Sequence, residues 1–274
     1  MRQKRIALIN DLTGFGRCSI TVELPLISAL KVQACPLPTA ILSVHTGFSA
    51  HYMSDYSENM RPYIRNWKDN QLQFDGICTG FLSSVKQIDI VIEFIKNFKH
   101  SHTQVIFDPV MGDYGTLYAS YTPDICNEMR RLLTYADTIT PNLTEACELL
   151  CIPYPDEGTV SETALFQMAE ALSFKGPSQV IITGVGEKNT ISNYIYERGK
   201  EPQIIKTLKI GGNRSGTGDI FTAIISACLV KGEPLIPSVR KAVDFIVKTL
   251  VYTEKLGLPW NYGLAFEEYL TELE

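Results

Sequence analysis

One pattern limits this 274-residue chain more than any other: short, unbroken apolar runs alternate with longer stretches of helical period. The runs are RIALIN (5–10), FDGICTG (74–80), QVIFDPV (104–110), DTITP (137–141) and QVIITGV (179–185). Between them, helical spacing is expected at about 17–31, 84–98, 121–133, 143–151 and 161–174. A short apolar run without polar alternation suits a strand buried on both faces, as in a parallel sheet. Parallel neighbours need long crossovers, and the helical stretches supply them. The expected fold is therefore α/β: a three-layer sandwich with a mostly parallel central sheet and helices on both faces. The clearest helix is SVRKAVDFIVKTLVYTEK (238–255), where Val239, Ala242, Val243, Ile246, Val247, Leu250 and Val251 follow helical spacing.

Two stretches depart from the alternation. NTISNYIYE (189–197) and QIIKTLKI (203–210), separated only by RGKEP, predict an antiparallel hairpin at a sheet edge. Residues 45–60, HTGFSAHYMSDYSENM, show no clean period and predict a loop or flap rich in aromatic and hydroxyl groups. No repeat or linker divides the chain, so a single domain over 1–274 is expected.

Composition removes several classes of function. Net charge is −5 with no long basic run, which argues against a nucleic-acid partner. No window approaches the roughly 20 apolar residues of a membrane span. The basic start MRQKR is followed by an apolar run too short for a signal peptide, so a cytoplasmic protein is expected. Seven scattered cysteines with no C-x-x-C pair read as reduced thiols. Cys147 and Cys151 lie one turn apart, but no second His or Cys pair completes a zinc site.

The stretch NRSGTGDIFTAIISACLV (213–230) carries the chemistry. Gly216, Thr217 and Gly218 open a helix that is otherwise apolar, with Asp219 at the seam. Helix N-termini present unpaired N–H groups and partial positive charge, and glycines let those amides converge on an anion. The plainer reading is an acid that stabilises the first turn. A helix so apolar exposes only its mouth, which favours a cleft there. No G-x-x-x-x-G-K-[ST] loop occurs, and Gly14 and Gly16 lack the third glycine of a dinucleotide fingerprint, that position being Ser19.

With GTGD opening a buried helix, the chain resembles the ribokinase superfamily. INDLTGFGRCS (9–19), LPTAILSVHTGF (37–48), FDPVMGDYGTLY (107–118) and TPNLTEACELL (140–150) resemble its pyridoxal/pyridoxamine kinase branch, in order along nearly the whole chain. The resemblance implies a ribokinase-like domain that moves the γ-phosphoryl of ATP to the 5′-hydroxymethyl of a vitamin B6 vitamer, with Mg²⁺ and in some cases a monovalent cation, as a homodimer. It assigns Asp219 as the base and the amides of Gly216, Thr217, Gly218 and Asp219 as the cradle for the transferring group. Asp113, Asn142 and Glu145 would hold Mg²⁺ near the nucleotide, and Thr183, Gly216 and Gly218 would contact its phosphates. Asn142 and Glu145 also spell a capping box, and Asp113 suits a turn. Asn10, Asp11, His45, Thr46 and Phe81 match substrate contacts, with Asn10 toward the pyridine nitrogen and Phe81 over the ring. His51, His100 and His102 receive no role.

Two other functions remain open at this point. One is a hydroxymethylpyrimidine (phosphate) kinase of thiamine synthesis, whose members commonly carry cysteine where this chain has Asp219. The other is a silent ligand-binding homologue, which would have no chemical need for a base.

Overall fold

The computed structural model describes residues 2–155, 160–187 and 189–273; the rest of the expected 1–274 domain lies outside the described residues. Strands β1 (Arg5–Phe15), β2 (Gln33–Val44), β3 (Met53–Asp55), β4 (Gly76–Thr79), β5 (Gln104–Phe107), β8 (Thr138–Ile139), β9 (Gln179–Glu187), β10 (Thr190–Glu197) and β11 (Gln203–Leu208) form one sheet. Its order is β11-β10-β9-β8-β5-β4-β1-β2-β3. Neighbours from β9 through to β2 run parallel, and the two edges are closed by antiparallel β3 and by the β10–β11 hairpin. A separate two-stranded ribbon joins β6 (Gly112–Asp113) to β7 (Thr116–Leu117).

The unbroken apolar runs follow from burial on both faces. Ala7, Ile9, Ile77, Val180 and Ile182 face one core, which α3 (Val85–Phe98), α4 (Pro123–Met129), α5 (Leu143–Leu150) and α6 (Glu162–Ser173) cover. Ile6, Leu8, Cys78 and Ile181 face the other, under α1 (Ile20–Ala29), α7 (Thr217–Lys231) and α8 (Leu235–Leu256). Side chains alternate between these cores along each strand. Helix α7 is the most enclosed: every residue from Ile220 to Cys228 is buried, and α1 and α8 both pack against it.

The structure departs from the sequence reading in three places. β2 was not anticipated, because Pro36 and Pro38 interrupt its apolar run. Both prolines lie on the part of β2 that β3 does not pair, since that pairing covers only Ala40–Leu42. A missing N–H is tolerated at an open strand edge. The flap expected over 45–60 is irregular only to about 52; β3 and α2 (Ser57–Asp69) take its second half. Helix α2 was not anticipated, although Met60 and the part-buried Tyr63, Ile64 and Trp67 pack on the core at helical spacing. The stretch 121–133 is not one helix, since α4 gives way to a 3₁₀ turn over Arg130–Thr134. Among the described residues no helix is long and apolar enough to cross a membrane.

Candidate active site

The carboxyl ends of β1, β4, β5 and β8 converge on the mouth of α7, where ligands of open parallel sheets bind. Strand β1 runs past β4 there while still paired with β2, and its register against β2 slips between Asn10 and Leu12. Such a bulge re-aims side chains. Asp11, at the slip, accepts hydrogen bonds from Thr13 (2.6 Å) and Ser19 (2.6 Å), which tie β1 to the start of α1. Asn10 is 1% exposed. Its Oδ1 accepts from the N–H groups of Asp11 (2.9 Å) and Phe81 (2.8 Å), and its Nδ2 donates to Asp219 Oδ1 at 3.4 Å. Asn10, expected from the sequence to lie toward a ring nitrogen, is turned in this conformation to Asp219 and to the two amides.

Gly216 starts α7 with φ 78°, and a Cβ there would lie 2.0 Å from the Arg17 carbonyl oxygen. Only glycine meets both conditions. No side chain caps α7, and Thr217 Oγ1 instead donates back to the Arg214 carbonyl (2.7 Å). Asp219 takes the backbone N–H of Ser19. With its hydroxyl on Asp11 and its N–H on Asp219, Ser19 sits at φ 56° and gives α1 no side-chain cap.

Around Asp219 lies a group of acids without matching cations. Burial pushes the Asp219 carboxyl up to about 6; the neighbouring Asp11 adds to this, while the Ser19 N–H and Asn10 oppose it. Asp108, just beyond β5, is pushed up to about 7 by burial and by Asp219, although Thr222 donates to it at 2.9 Å. Glu23 on α1 is 2% exposed and is held well above the usual carboxyl range by burial and then by Asp219. Neither Asp108 nor Glu23 was singled out from sequence. The available signal for Glu23 was an acid inside the apolar run ITVELPLIS; for Asp108 it was an acid closing the buried strand VIF.

On the opposite rim, Asn142 and Glu145 form a complete capping box on α5. Glu145 Oε2 accepts from the Asn142 N–H (2.9 Å) and Oε1 from the Met111 N–H (2.9 Å). Burial, then repulsion from Asp108, raises this carboxyl far above its ordinary value. Asn142 Nδ2 donates to the Gly112 carbonyl (2.7 Å), which fastens the β6–β7 ribbon to α5. Asp113 sits exposed on that ribbon. Tyr114, at its turn, donates to Asn213 Oδ1 (2.6 Å), so the ribbon reaches the loop before α7. Thr183 bridges to Asn142 through the end of β9. Among the described residues no three His, Cys, Asp or Glu side chains are grouped to bind a bare metal ion.

The third rim is aromatic. His45 Nδ1 accepts from the Gly47 N–H (3.1 Å), so Nε2 carries the proton and donates to the Asn261 carbonyl (2.8 Å). Phe48 meets His45 at 4.9 Å, Phe15 meets Tyr262 at 4.9 Å, and Trp260 lies 6.1 Å from His45. Residues 45–48 are thus pinned to a 3₁₀ turn, Trp260–Tyr262, whose part in the site was not foreseen. Thr46 is exposed on this turn, and Phe81 is half-buried against Tyr121 at 6.0 Å. A cavity of about 550 Å³ between α5 and α6, lined by Cys147, Leu150, Val160 and Met168, holds none of these acids.

Such a mouth, with a carboxylate seated on uncapped amides at the carboxyl edge of a parallel sheet, suits phosphoryl transfer, and the chain is a phosphotransferase of the ribokinase-like class. A family model described as phosphomethylpyrimidine kinase matches residues 19–262, and the chain belongs to that family. A solved structure from Bacteroides thetaiotaomicron, provisionally assigned as a phosphomethylpyrimidine kinase and crystallised with pyridoxal, is 38% identical with a TM-score of 0.94, covering 99% of this chain and 96% of its own. The pyridoxal kinase of Arabidopsis thaliana is 28% identical over 234 residues, 82% of this chain and 72% of that protein. The hydroxymethylpyrimidine/phosphomethylpyrimidine kinase of Haemophilus influenzae is 28% identical over 193 residues, 69% of each. The resemblance read from the sequence is borne out at the level of superfamily and branch.

Proposed function

We propose that this chain is a vitamin B6 kinase that transfers the γ-phosphoryl of ATP to the 5′-hydroxymethyl group of pyridoxal, pyridoxamine or pyridoxine. The observation that carries the reading is Asp219, a carboxylate raised to about 6 on the uncapped mouth of α7. A base with that affinity is ionised at neutral pH and still accepts a proton readily. The substrate oxygen attacks the γ-phosphorus while its hydrogen passes to Asp219 and the bond to the ADP oxygen breaks. The amides of Gly216, Thr217, Gly218 and Asp219 hold the transferring group through fixed dipoles. No covalent enzyme intermediate is needed.

Mg²⁺ fits the acids on the nucleotide rim through water. Asp108 and Asp113 both repel the Glu145 carboxylate there. Both Glu145 oxygens already accept backbone N–H groups, so a hydrated ion suits this rim better than a bare one. Asp113, Asn142 and Glu145 would hold it, and when bound it would offset phosphate charge. Thr183 is bridged to Asn142 and would contact the same phosphates.

A second reading keeps the mechanism and changes the substrate to hydroxymethylpyrimidine or its phosphate. The family description and the Haemophilus relative favour it. Aspartate rather than cysteine at 219, and the pyridoxal-bound Bacteroides structure, favour B6. The deciding experiment is turnover with ATP and Mg²⁺ over the three B6 vitamers and hydroxymethylpyrimidine. A kcat/KM at least about tenfold higher for a B6 vitamer is expected, a difference of ~1.4 kcal/mol. The reverse order overturns the B6 reading, and tight binding without ADP release overturns catalysis itself.

A further inference from the structure

Glu23 has no part in the mechanism above, yet it is buried beside the base. Its Oε2 lies out of solvent with no hydrogen-bond partner. The polar groups facing it are Asp219 from α7, Asn10 and Asp11 from β1, Cys78 from β4 and Asp108 beyond β5, with no cation among them. Asn10 connects it to Asp219. Both acceptor sites of the Asn10 oxygen are taken by the Asp11 and Phe81 amides, so the orientation of the side-chain amide is fixed. Its two N–H groups are then left for Asp219 Oδ1 and for Glu23.

We propose that Glu23 is a positioning residue: by accepting one N–H of Asn10 it aims the other at Asp219, setting the direction in which the base presents its free oxygen to the substrate alcohol. This rests on the reading of Asp219 as the base. Burial, then the Asp219 carboxylate, disfavours the ionised form of Glu23, whose Oε2 has no donor to offset a charge. Ionising Glu23 would place a second charge against Asp219 and against the incoming phosphoryl group. Activity should therefore decline at alkaline pH.

The test uses the full chain with ATP, Mg²⁺ and the preferred alcohol, and compares Glu23→Leu with Glu23→Gln. Leu removes the acceptor, and kcat should fall about 10- to 100-fold while KM for ATP stays within about twofold. Gln still accepts the Asn10 N–H but cannot ionise. It should recover kcat to within about threefold of wild type and abolish the alkaline decline. A Leu variant with wild-type kcat and pH profile overturns the proposal. So does a Gln variant as impaired as Leu, or one that keeps the alkaline limb. If Leu does not fold, the Gln profile decides alone. An Asp219→Asn control separates the two levels: if it stays active, the base reading and this proposal fall together. If it is dead while both Glu23 variants are untouched, only this proposal falls.

Discussion

Glu145 and Glu23 are both buried carboxyls near a helix start at the same end of the sheet, and they differ in what surrounds them. Glu145 receives two backbone amides and closes a capping box. Glu23 has an oxygen with no partner and faces another acid. The first arrangement is one any helix can use for stability. The second lowers stability, and it persists beside Asp219. Glu145, supplied with backbone donors, is tied into the rim, whereas Glu23 is left with a bare oxygen facing Asp219. Strained or unsatisfied polar groups gather at functional sites for this reason.

The comparison breaks most directly at Asp219. Asp219→Asn should lower kcat by about 10²–10⁴-fold while ATP still binds, measured by steady-state kinetics and by calorimetric titration. Near-normal kcat would mean the proton leaves by another route. Because burial raises this carboxyl to about 6, wild-type kcat should fall roughly tenfold per pH unit below that value as the base becomes protonated. A flat profile down to pH 5 contradicts the assignment.

Glu145→Ala removes two amide acceptors and a cap. It should lower folding stability by about 2 kcal/mol in urea denaturation, and also raise the Mg²⁺ concentration needed for half-maximal activity. Loss of stability with unchanged Mg²⁺ dependence would leave Glu145 a cap alone.

The smallest expected effect has the opposite sign. The folded carboxyl of Asp108 is raised from 3.8 to about 7, so its contribution is fully present below the lower value and is lost as pH rises through the higher one. Asp108→Asn removes that loss. Its melting temperature at pH 8 should exceed wild type by about 3 °C or more, with the gap shrinking toward pH 4. A variant less stable than wild type at pH 8 would show that the ionised form is well compensated.

Much of the architecture could be read from local patterns, because strands buried on both faces leave continuous apolar runs and α8 keeps an unbroken period. β2 could not, since Pro36 and Pro38 are acceptable only at an edge that sheet order creates. α2 does leave a short stripe, Met60, Tyr63, Ile64 and Trp67, which the sequence reading passed over. In the site, Asp219 stood out as a charge between glycines and an apolar helix. Glu23 carries a similar signal without a glycine turn to mark it. Whether its oxygen finds a donor depends on β1, β4, α1 and α7 together, and no window of sequence holds all four. The aromatic rim was hidden likewise, because His45 meets Asn261 across 216 positions.

Gly216 lies so close to the main chain of Arg17 that no side chain fits there. The glycine-turn end of the cleft is therefore locked to the backbone beneath it, whereas the aromatic rim is held by rings and two imidazole bonds. Evolution toward a new alcohol has an open route through positions 15, 48, 260 and 262, and almost none through the glycine turn. A directed-evolution library should accumulate its changes at the rim and keep the GTGD turn unaltered.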